Sequence, residues 1–349
     1  MADTVAIALD AMGGDRAPEM VVSGANVARE RFPQARFHFY GDENRIGPLL
    51  GNLANLAKVS HVHHTERQIK AEDKPSTAVR SGRGSSMWMA CEAVRDGHAA
   101  GVVSAGNTGA FMGIAMFLLK TLPSIDRPAI CSFFPTLRGE SCMLDLGANV
   151  DCDADNLVQF AVMGEAFSRT VLGVIEPTIG VLNVGSEEIK GHEAVRDAAA
   201  VLRGGGMPGR FHGFVEGDDI AKGTVDVVVT DGFTGNVAIK AIEGTVKLYN
   251  EFMGQAFRSS QLSKLGYLLA RTALRGLRIR TDPRRYNGAI LLGLNGVAVK
   301  SHGGTDSLGF ANAIGVAIDM VLQGTLAKIK EDLAQVMAQS APATRAANS

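Results

Sequence analysis

The chain has 349 residues, of which 46% are hydrophobic and 20% charged, and its formal net charge is −1. This composition excludes a disordered chain and predicts a folded protein with one large domain or two lobes. A net charge near zero argues against a nucleic acid partner, since binding a polyanion needs a strongly basic surface. Four cysteines without Cys-x-x-Cys spacing predict neither a zinc site nor a disulfide framework.

Two features of the sequence bear on where the protein is located in the cell. The chain enters an apolar stretch at Val5 without the pattern of a signal peptide. The longest apolar run, 110–119, is about half of the ~20 residues that a membrane-spanning helix needs. We therefore expect a cytoplasmic protein with no helix that crosses a membrane.

Apolar strands alternate with helical patterns from the start of the chain. The first three predicted strands are 5–9, 37–40 and 57–62. This alternation predicts an α/β fold, a three-layer sandwich with a mostly parallel sheet between helices. The stretches 129–134 and 142–146 lie too close together for a parallel crossover, so we expect them to pair antiparallel and to make the sheet partly mixed.

The stretch GVVSAGNTGA, from Gly101 to Ala110, combines a strand, a glycine-rich turn and the start of a helix. The first N–H groups of a helix lack partners within it and carry partial positive charge, so such a turn is a candidate anion site. An ordinary strand-to-helix turn capped by Thr108 is the alternative. The residues predicted to hold an anion are Ser104, Gly106, Asn107, Thr108 and Gly109.

Three further predicted strands end in loops of similar character, namely DAMGGD, VGSEEIKG and TDGFTGN. Because parallel strands end at one edge of a sheet, we expect all four loops to gather there and form one ligand site. A helix is predicted to begin near Val237, after the last of these loops. Lys190 is read either as a site residue or as an ordinary surface lysine. The residues nominated from these loops are Asp10, Gly13, Gly14, Lys190, Asp231 and Asn236.

An aspartate-rich stretch, LDLGANVDCDAD, raises the question of a metal. Its spacing begins like a calcium loop, but Asn156 stands where glycine is needed and Val162 where glutamate is needed. Helix capping by Asp153 or Asp155 is the preferred interpretation. We expect no metal site and no cofactor.

The segment 251–281 has an unusual composition. Phe252 to Thr281 contains no acidic residue, whereas six basic residues alternate with leucines. This pattern predicts a basic amphipathic helix or helical hairpin that lies on an anionic membrane or docks an acidic protein. A core helix with one charged side is the alternative. The residues assigned to this surface are Leu262, Lys264, Leu265, Leu268, Leu269, Arg271 and Arg275.

Within the basic segment, Gly266 and Gly276 are predicted to allow bends. The last predicted helix runs from Ser307 towards Met337. We expect a single large α/β domain over 1–337, which could divide into two lobes. The small, polar residues 338–349 predict a disordered tail.

Several motifs occur together and in order between Val5 and Leu333: DAMGGD, DKPSTAVR, VSAGNTGA, LDLGANVDC, NVGSEEIKG, DVVVTDGFTGN and GLNGVAVKSHGGTD. This set resembles the bacterial phosphate acyltransferase family PlsX. The resemblance implies a fold similar to that of isocitrate and isopropylmalate dehydrogenases. It also implies conversion of acyl-acyl carrier protein and inorganic phosphate into acyl phosphate and free carrier protein, a step of phospholipid synthesis.

The same resemblance implies partners and roles. It implies a homodimer at the inner face of the cell membrane, where a membrane glycerol-phosphate acyltransferase could receive the product. Lys190 and Asn236 lie in the matched motifs and are expected to position phosphate and stabilise the tetrahedral charge. An acyl-cysteine route is disfavoured, because no cysteine lies in the four loops. A non-catalytic membrane-surface scaffold that binds acyl carrier protein remains the alternative.

Overall fold

The computed structural model describes residues 4–205 and 209–340. Within them, eleven strands form one sheet in the order β3-β2-β1-β4-β11-β10-β5-β6-β9-β7-β8. The strands are β1 Val5–Asp10, β2 Ala35–Gly41, β3 Ser60–His64, β4 Gly101–Ser104, β5 Ala129–Pro135, β6 Glu140–Leu144, β7 Thr178–Leu182, β8 Arg210–Val215, β9 Val227–Val229, β10 Ala289–Leu292 and β11 Val297–Lys300.

Thirteen α-helices accompany the sheet in the described ranges, with one 3-10 turn at Pro283–Tyr286. The helices are α1 Glu19–Arg31, α2 Glu43–Gly51, α3 Ala54–Ala57, α4 Pro75–Ser81, α5 Ser86–Arg95, α6 Thr108–Leu119, α7 Ala154–Thr170, α8 Glu193–Arg203, α9 Gly217–Lys222, α10 Gly232–Arg258, α11 Gln261–Arg280, α12 Ser307–Leu322 and α13 Thr325–Ser340.

Helices cover both faces of the sheet, and each face has its own apolar core. Along β1, Ile7 and Leu9 enter one buried cluster, while Ala8 enters the other. This follows from the strand period of two residues, which sends successive side chains to opposite faces. The predicted three-layer α/β sandwich with a mostly parallel, partly mixed sheet is therefore confirmed.

The direction of the strands reverses in the middle of the sheet. Strand β10 pairs antiparallel with both β11 and β5, and β5 pairs antiparallel with β6. Every other neighbouring pair is parallel. Three reversals leave the group β3-β2-β1-β4-β11 running opposite to the group β6-β9-β7-β8.

This reversal corrects the expectation that four loops share one edge of the sheet. The loops after β1 and β4 lie at the edge where β10 begins, since Ala289 of β10 pairs with Lys300 at the end of β11. The loops after β7 and β9 leave the opposite edge, where β5 begins. The nominated residues are thus divided into two sets.

One helix cap and one helix start differ from the sequence predictions. Helix α6 begins at Thr108, and its cap is Asn107, whose Oδ1 accepts a hydrogen bond from Ala110 N at 3.0 Å. Helix α10 begins at Gly232 rather than near Val237, so most of TDGFTGN forms its first turns. In both places an asparagine or aspartate just before the helix supplies the cap.

The basic segment forms a hairpin from the end of α10 and the whole of α11, which confirms the prediction of helical structure there. The predicted bends are wrong, because α11 runs unbroken through Gly266 and Gly276. The final helix is instead two helices separated near Gly324, whose φ is +64°. Of the predicted tail, 338–340 belong to α13 and 341–349 lie outside the described residues.

None of the described helices is alone both long and apolar enough to cross a bilayer. The pair Ser307–Leu322 and Thr325–Gln335 meets the length and composition criteria together, with a bend of 56° between its members.

Two half-buried histidines on β2 and β3 predict an acid-sensitive stability. His38 Nδ1 lies 3.0 Å from His63 Nε2. The pKa of both imidazoles is lowered below the ordinary 6.5, mainly by burial and to a lesser extent by the charges of neighbouring histidines. Folding therefore disfavours protonation of these two histidines. The free energy of unfolding is unaffected by them above pH 6.5 and decreases as the pH falls below 6.5, because the unfolded state then binds protons more readily. We expect the unfolding temperature to decrease between pH 7.5 and 5.5.

The check on this prediction is thermal unfolding of a His38→Gln/His63→Gln variant across the same pH range. Its unfolding temperature should depend less on pH than that of the wild type. Changing the exposed His212 to glutamine should leave the wild-type dependence intact. An unchanged slope in the double variant would show that another group causes the effect.

Candidate active site

Three neighbouring parallel strands end in polar residues that lie side by side. Asp10, Ser104 and Lys300 are the last residues of β1, β4 and β11, and the strand register places Lys300 directly beside Ser104. All three residues are buried. We call this set the strand-end row.

Hydrogen bonds fix the first two members of the strand-end row. Ser104 Oγ donates to Asp10 Oδ2 at 2.7 Å and accepts from Gly106 N at 3.1 Å. Burial raises the pKa of the Asp10 carboxyl, whereas hydrogen bonds from Ser86 and Ser104 and the charge of Lys300 act in the opposite direction. Asp10 thereby anchors the loop that follows β4.

Gly13 lets the loop after β1 pack against this anchor. A Cβ atom at Gly13 would lie 2.4 Å from Asp10 Oδ2 and 2.7 Å from Gly106 N. Gly14 has φ +109°, a conformation that glycine adopts without strain. The nominated glycines at 13 and 14 therefore shape the loop and bring its backbone close to the loop after β4.

The loop SAGNTG uses some of its nominated donors within the protein. The Ser104 hydroxyl already binds Asp10, and the Asn107 side-chain amide donates to Ala71 O at 2.8 Å and Asp73 O at 3.0 Å. Thr108 and Gly109 open α6, so their N–H groups have no partner inside the helix. An anion at this loop would meet those two N–H groups.

The second set of loops surrounds Asp145, which directly follows β6. Its Oδ1 accepts from Ile130 N at 2.8 Å and Ala148 N at 3.1 Å, and its Oδ2 accepts from Asn149 N at 2.6 Å. The residue is fully buried, and burial raises the pKa of its carboxyl against the effect of these bonds. Asp145 thus holds the loop 146–149 in place.

Asn236 binds the loop that Asp145 organises. Its Nδ2 donates to Leu146 O at 3.1 Å, and a Cβ at Gly147 would come within 2.9 Å of the same nitrogen. Asp231 caps α10 by accepting from Thr234 N at 2.8 Å. The cap and the first turns of α10 therefore set the position of Asn236.

Lys190 lies in the loop after β7, which neighbours β9 in the sheet. Its side chain passes over Gly185, where a Cβ would come within 2.7 Å of the lysine Cδ. Its ammonium forms a 3.0 Å ion pair with Glu187, and the side chain is about half exposed. Lys190 and Asn236 thus follow neighbouring parallel strands at one edge, apart from the strand-end row at the other.

Two buried charged residues at these loops were not nominated from the sequence. Lys300 lies in GLNGVAVKSHGGTD and Asp145 in LDLGANVDC, and the sequence alone predicts a specific role for neither residue. The sequence signal that could have identified both residues is a charged residue at, or directly after, the end of an apolar strand. Asp153 caps α7, which confirms the preferred interpretation of the aspartate-rich stretch, since its Oδ1 accepts from Asn156 N at 2.8 Å. In the described ranges no three His, Cys, Asp or Glu residues are arranged to hold a metal.

The residues assigned to the membrane or carrier surface lie on α11, none of whose residues is buried. Exposed fractions are 79% for Leu262, 53% for Leu265, 61% for Leu268 and 82% for Leu269. Lys264, Arg271 and Arg275 are also exposed. The hairpin therefore presents leucines and basic side chains together to the outside of the chain.

Comparison with known sequences shows the family. Residues 5–328 match the model of a family described as "Fatty acid synthesis protein". A phosphate acyltransferase from Rhodospirillum centenum is 64% identical over 338 residues, which cover 97% of this chain and 95% of that protein. This protein belongs to the phosphate acyltransferase family. A second member, from Rhodospirillum rubrum, is 60% identical over 96% of each chain.

Comparison with solved structures supports the fold. The EutD phosphotransacetylase from Staphylococcus aureus aligns with a TM-score of 0.60 at 18% identity, covering 91% of this chain and 94% of that one. A 4-hydroxythreonine-4-phosphate dehydrogenase from Klebsiella pneumoniae aligns at 0.51 and 14% identity, covering 92% and 98%. The expected relation to a dehydrogenase-like fold is confirmed.

Proposed function

We propose that this protein transfers the acyl chain of acyl-acyl carrier protein to inorganic phosphate, giving acyl phosphate and free carrier protein for phospholipid synthesis. The observation that carries this proposal is the 64% identity to a phosphate acyltransferase over nearly the full length of both chains. The glycine-rich loop after β4 and the buried Lys300 beside it supply groups that suit an anionic substrate.

The reaction is direct attack of phosphate on the thioester. A phosphate oxygen forms a bond to the carbonyl carbon, the carbon–sulfur bond breaks, and the carrier thiolate leaves and takes a proton from solvent. In our proposal the loop from Ser104 to Gly109 holds phosphate. Lys190 and Asn236 are proposed to position the reactants and stabilise the charge that develops on the carbonyl oxygen. Because the strands that lead to them end at the opposite edge of the sheet, this role requires their loops to reach the bound phosphate across one face of the sheet.

The cysteines do not favour a covalent intermediate. Cys91 and Cys131 are buried, and burial raises the pKa of both thiols well above its ordinary value. A thiol that stays protonated is a poor nucleophile. Direct attack by phosphate needs no acyl-enzyme.

We further propose that α11 holds the protein on the inner face of the cell membrane. Exposed leucines can enter the boundary of a bilayer while neighbouring arginines and lysines bind anionic headgroups. Release of acyl phosphate at that surface would deliver it to a membrane glycerol-phosphate acyltransferase. The same basic residues could also attract an acidic carrier protein.

The resemblance to PlsX also leads us to propose a homodimer. Helix α10 carries exposed apolar side chains that a second copy could cover, among them Phe233, Val237 and Phe252, which are 64%, 54% and 59% exposed. Light scattering of the purified protein should give twice the chain mass. A mass of one chain at micromolar concentration would refute the dimer.

The activity is tested by incubating the protein with acyl-acyl carrier protein in the presence and absence of phosphate. We expect release of free carrier thiol only with phosphate, and an equal amount of acyl hydroxamate after trapping with hydroxylamine. Thiol release without phosphate would indicate a hydrolase. Carrier binding without any release would favour a scaffold.

A further inference from the structure

Lys300 is an ammonium group that the fold buries at the end of β11. Only 8% of the residue's surface is exposed, and its Nζ donates to Ser301 O. The charged groups that act on it are the carboxylates of Asp10 and Asp15. Across residues 4–205 and 209–340, no carboxylate comes within the 4.0 Å of an ion pair with Nζ.

A buried ammonium without an ion pair is costly for the folded state. Burial lowers the Lys300 pKa to about 8, while Asp10 and Asp15 act to raise it. Lys300 therefore stays mainly charged near neutral pH. Its positive charge is concentrated at one end of three parallel strands, where an anion would offset the cost.

The surroundings of Lys300 suit a small anion. The neighbouring strand β4 leads into α6, whose first N–H groups, on Thr108 and Gly109, have no partner within the helix. Ser104, which pairs with Lys300 in register, is held by Asp10.

We propose that the Lys300 ammonium binds the phosphate substrate at the strand-end row, and that Asp10 positions Ser104 and the loop after β4 around it. This inference rests on the proposed function, since it assigns a further residue to that reaction. Lys300 would then act on phosphate rather than on the acyl carrier protein. A purely structural lysine, present only to offset Asp10, would affect folding but would not distinguish between the two substrates.

The first experiment separates these roles by steady-state kinetics. Lys300→Met should raise the KM for phosphate at least tenfold and change the KM for acyl-acyl carrier protein less than twofold. Lys300→Arg, which keeps the charge, should restore most of the phosphate affinity. The matched control is Lys58→Met, at an exposed position after α3, which should behave as the wild type. An unchanged KM for phosphate in folded Lys300→Met would overturn the inference.

A second experiment uses the wild type alone and so does not depend on a variant that folds. Over pH 8.5 to 9.5, above the Lys300 pKa of about 8, phosphate binding should draw a proton onto the amine. Calorimetric titration with inorganic phosphate in two buffers of different ionisation heat should therefore show net proton uptake. Phosphate binding without proton uptake would contradict the inference. If the wild type lacks phosphate-dependent thiol release, the proposed function itself fails.

Discussion

Replacing Lys190 with alanine should lower kcat by about 100-fold, because loss of one group that stabilises developing charge typically costs this much. The ion pair of Lys190 with Glu187 is exposed, so its loss should hardly change the unfolding temperature. Phosphate-dependent thiol release at saturating substrate is the measurement. Lys240→Ala, which removes an exposed lysine that also pairs with a glutamate, is the matched control.

Asn236 provides a second test of the same assignment. Asn236→Ala should give a comparable loss of kcat, while Asn236→Asp tests whether an amide donor is required. Because Asn236 also binds Leu146 O, thermal unfolding must be measured alongside the activity. If Lys190→Ala or Asn236→Ala, folded normally, keeps full turnover, that residue has no catalytic role.

Replacing both Leu265 and Leu269 with glutamate should weaken binding to anionic vesicles by at least about 100-fold. Burying a leucine is worth about 1.5–3 kcal/mol, and each glutamate adds repulsion from anionic lipid. Flotation with vesicles that contain phosphatidylglycerol measures the effect. Activity measured without membranes should remain within twofold of the wild type.

The matched control places the same charges elsewhere on the surface. Leu137 and Ile175 are 84% and 93% exposed and lie far from α11 in sequence, so Leu137→Glu/Ile175→Glu carries the same change in charge. This control should bind vesicles as the wild type does. Equal binding by both double variants and the wild type would exclude the leucine face of α11 from membrane attachment.

The local pattern of the sequence was enough to predict much of the fold. Apolar runs such as 129–134 and 142–146 predicted an antiparallel pair, which the structure contains as β5 and β6. The effect of this antiparallel pairing on where the loops of the candidate site lie was not predicted. An antiparallel step changes the direction of every strand placed beyond it, and the position of β10 between β11 and β5 depends on long-range pairing. No local pattern encodes that pairing, so four similar loops were assigned to one edge.

Part of the candidate site was predictable because the backbone itself supplies the signal. A strand, a glycine turn and a helix start are predicted around 104–109, and the structure has β4, that turn and α6 there. Lys300 and Asp145 were missed because their importance lies in burial, which arises only when β11 and β6 take their places inside the sheet. In the sequence each is one charged residue among many. Their hydrogen bonds join segments distant along the chain, as Asp145 does with Ile130 N.

In the proposed reaction phosphate accepts the acyl group through one of its own oxygens. The decisive measurement uses phosphate labelled with ¹⁸O at all four oxygens, acyl-acyl carrier protein as donor and mass spectrometry of the acyl phosphate formed. The product should retain all four labelled oxygens, one of them bridging carbon and phosphorus. Unlabelled fatty acid as the only product, formed equally without phosphate, would contradict this prediction.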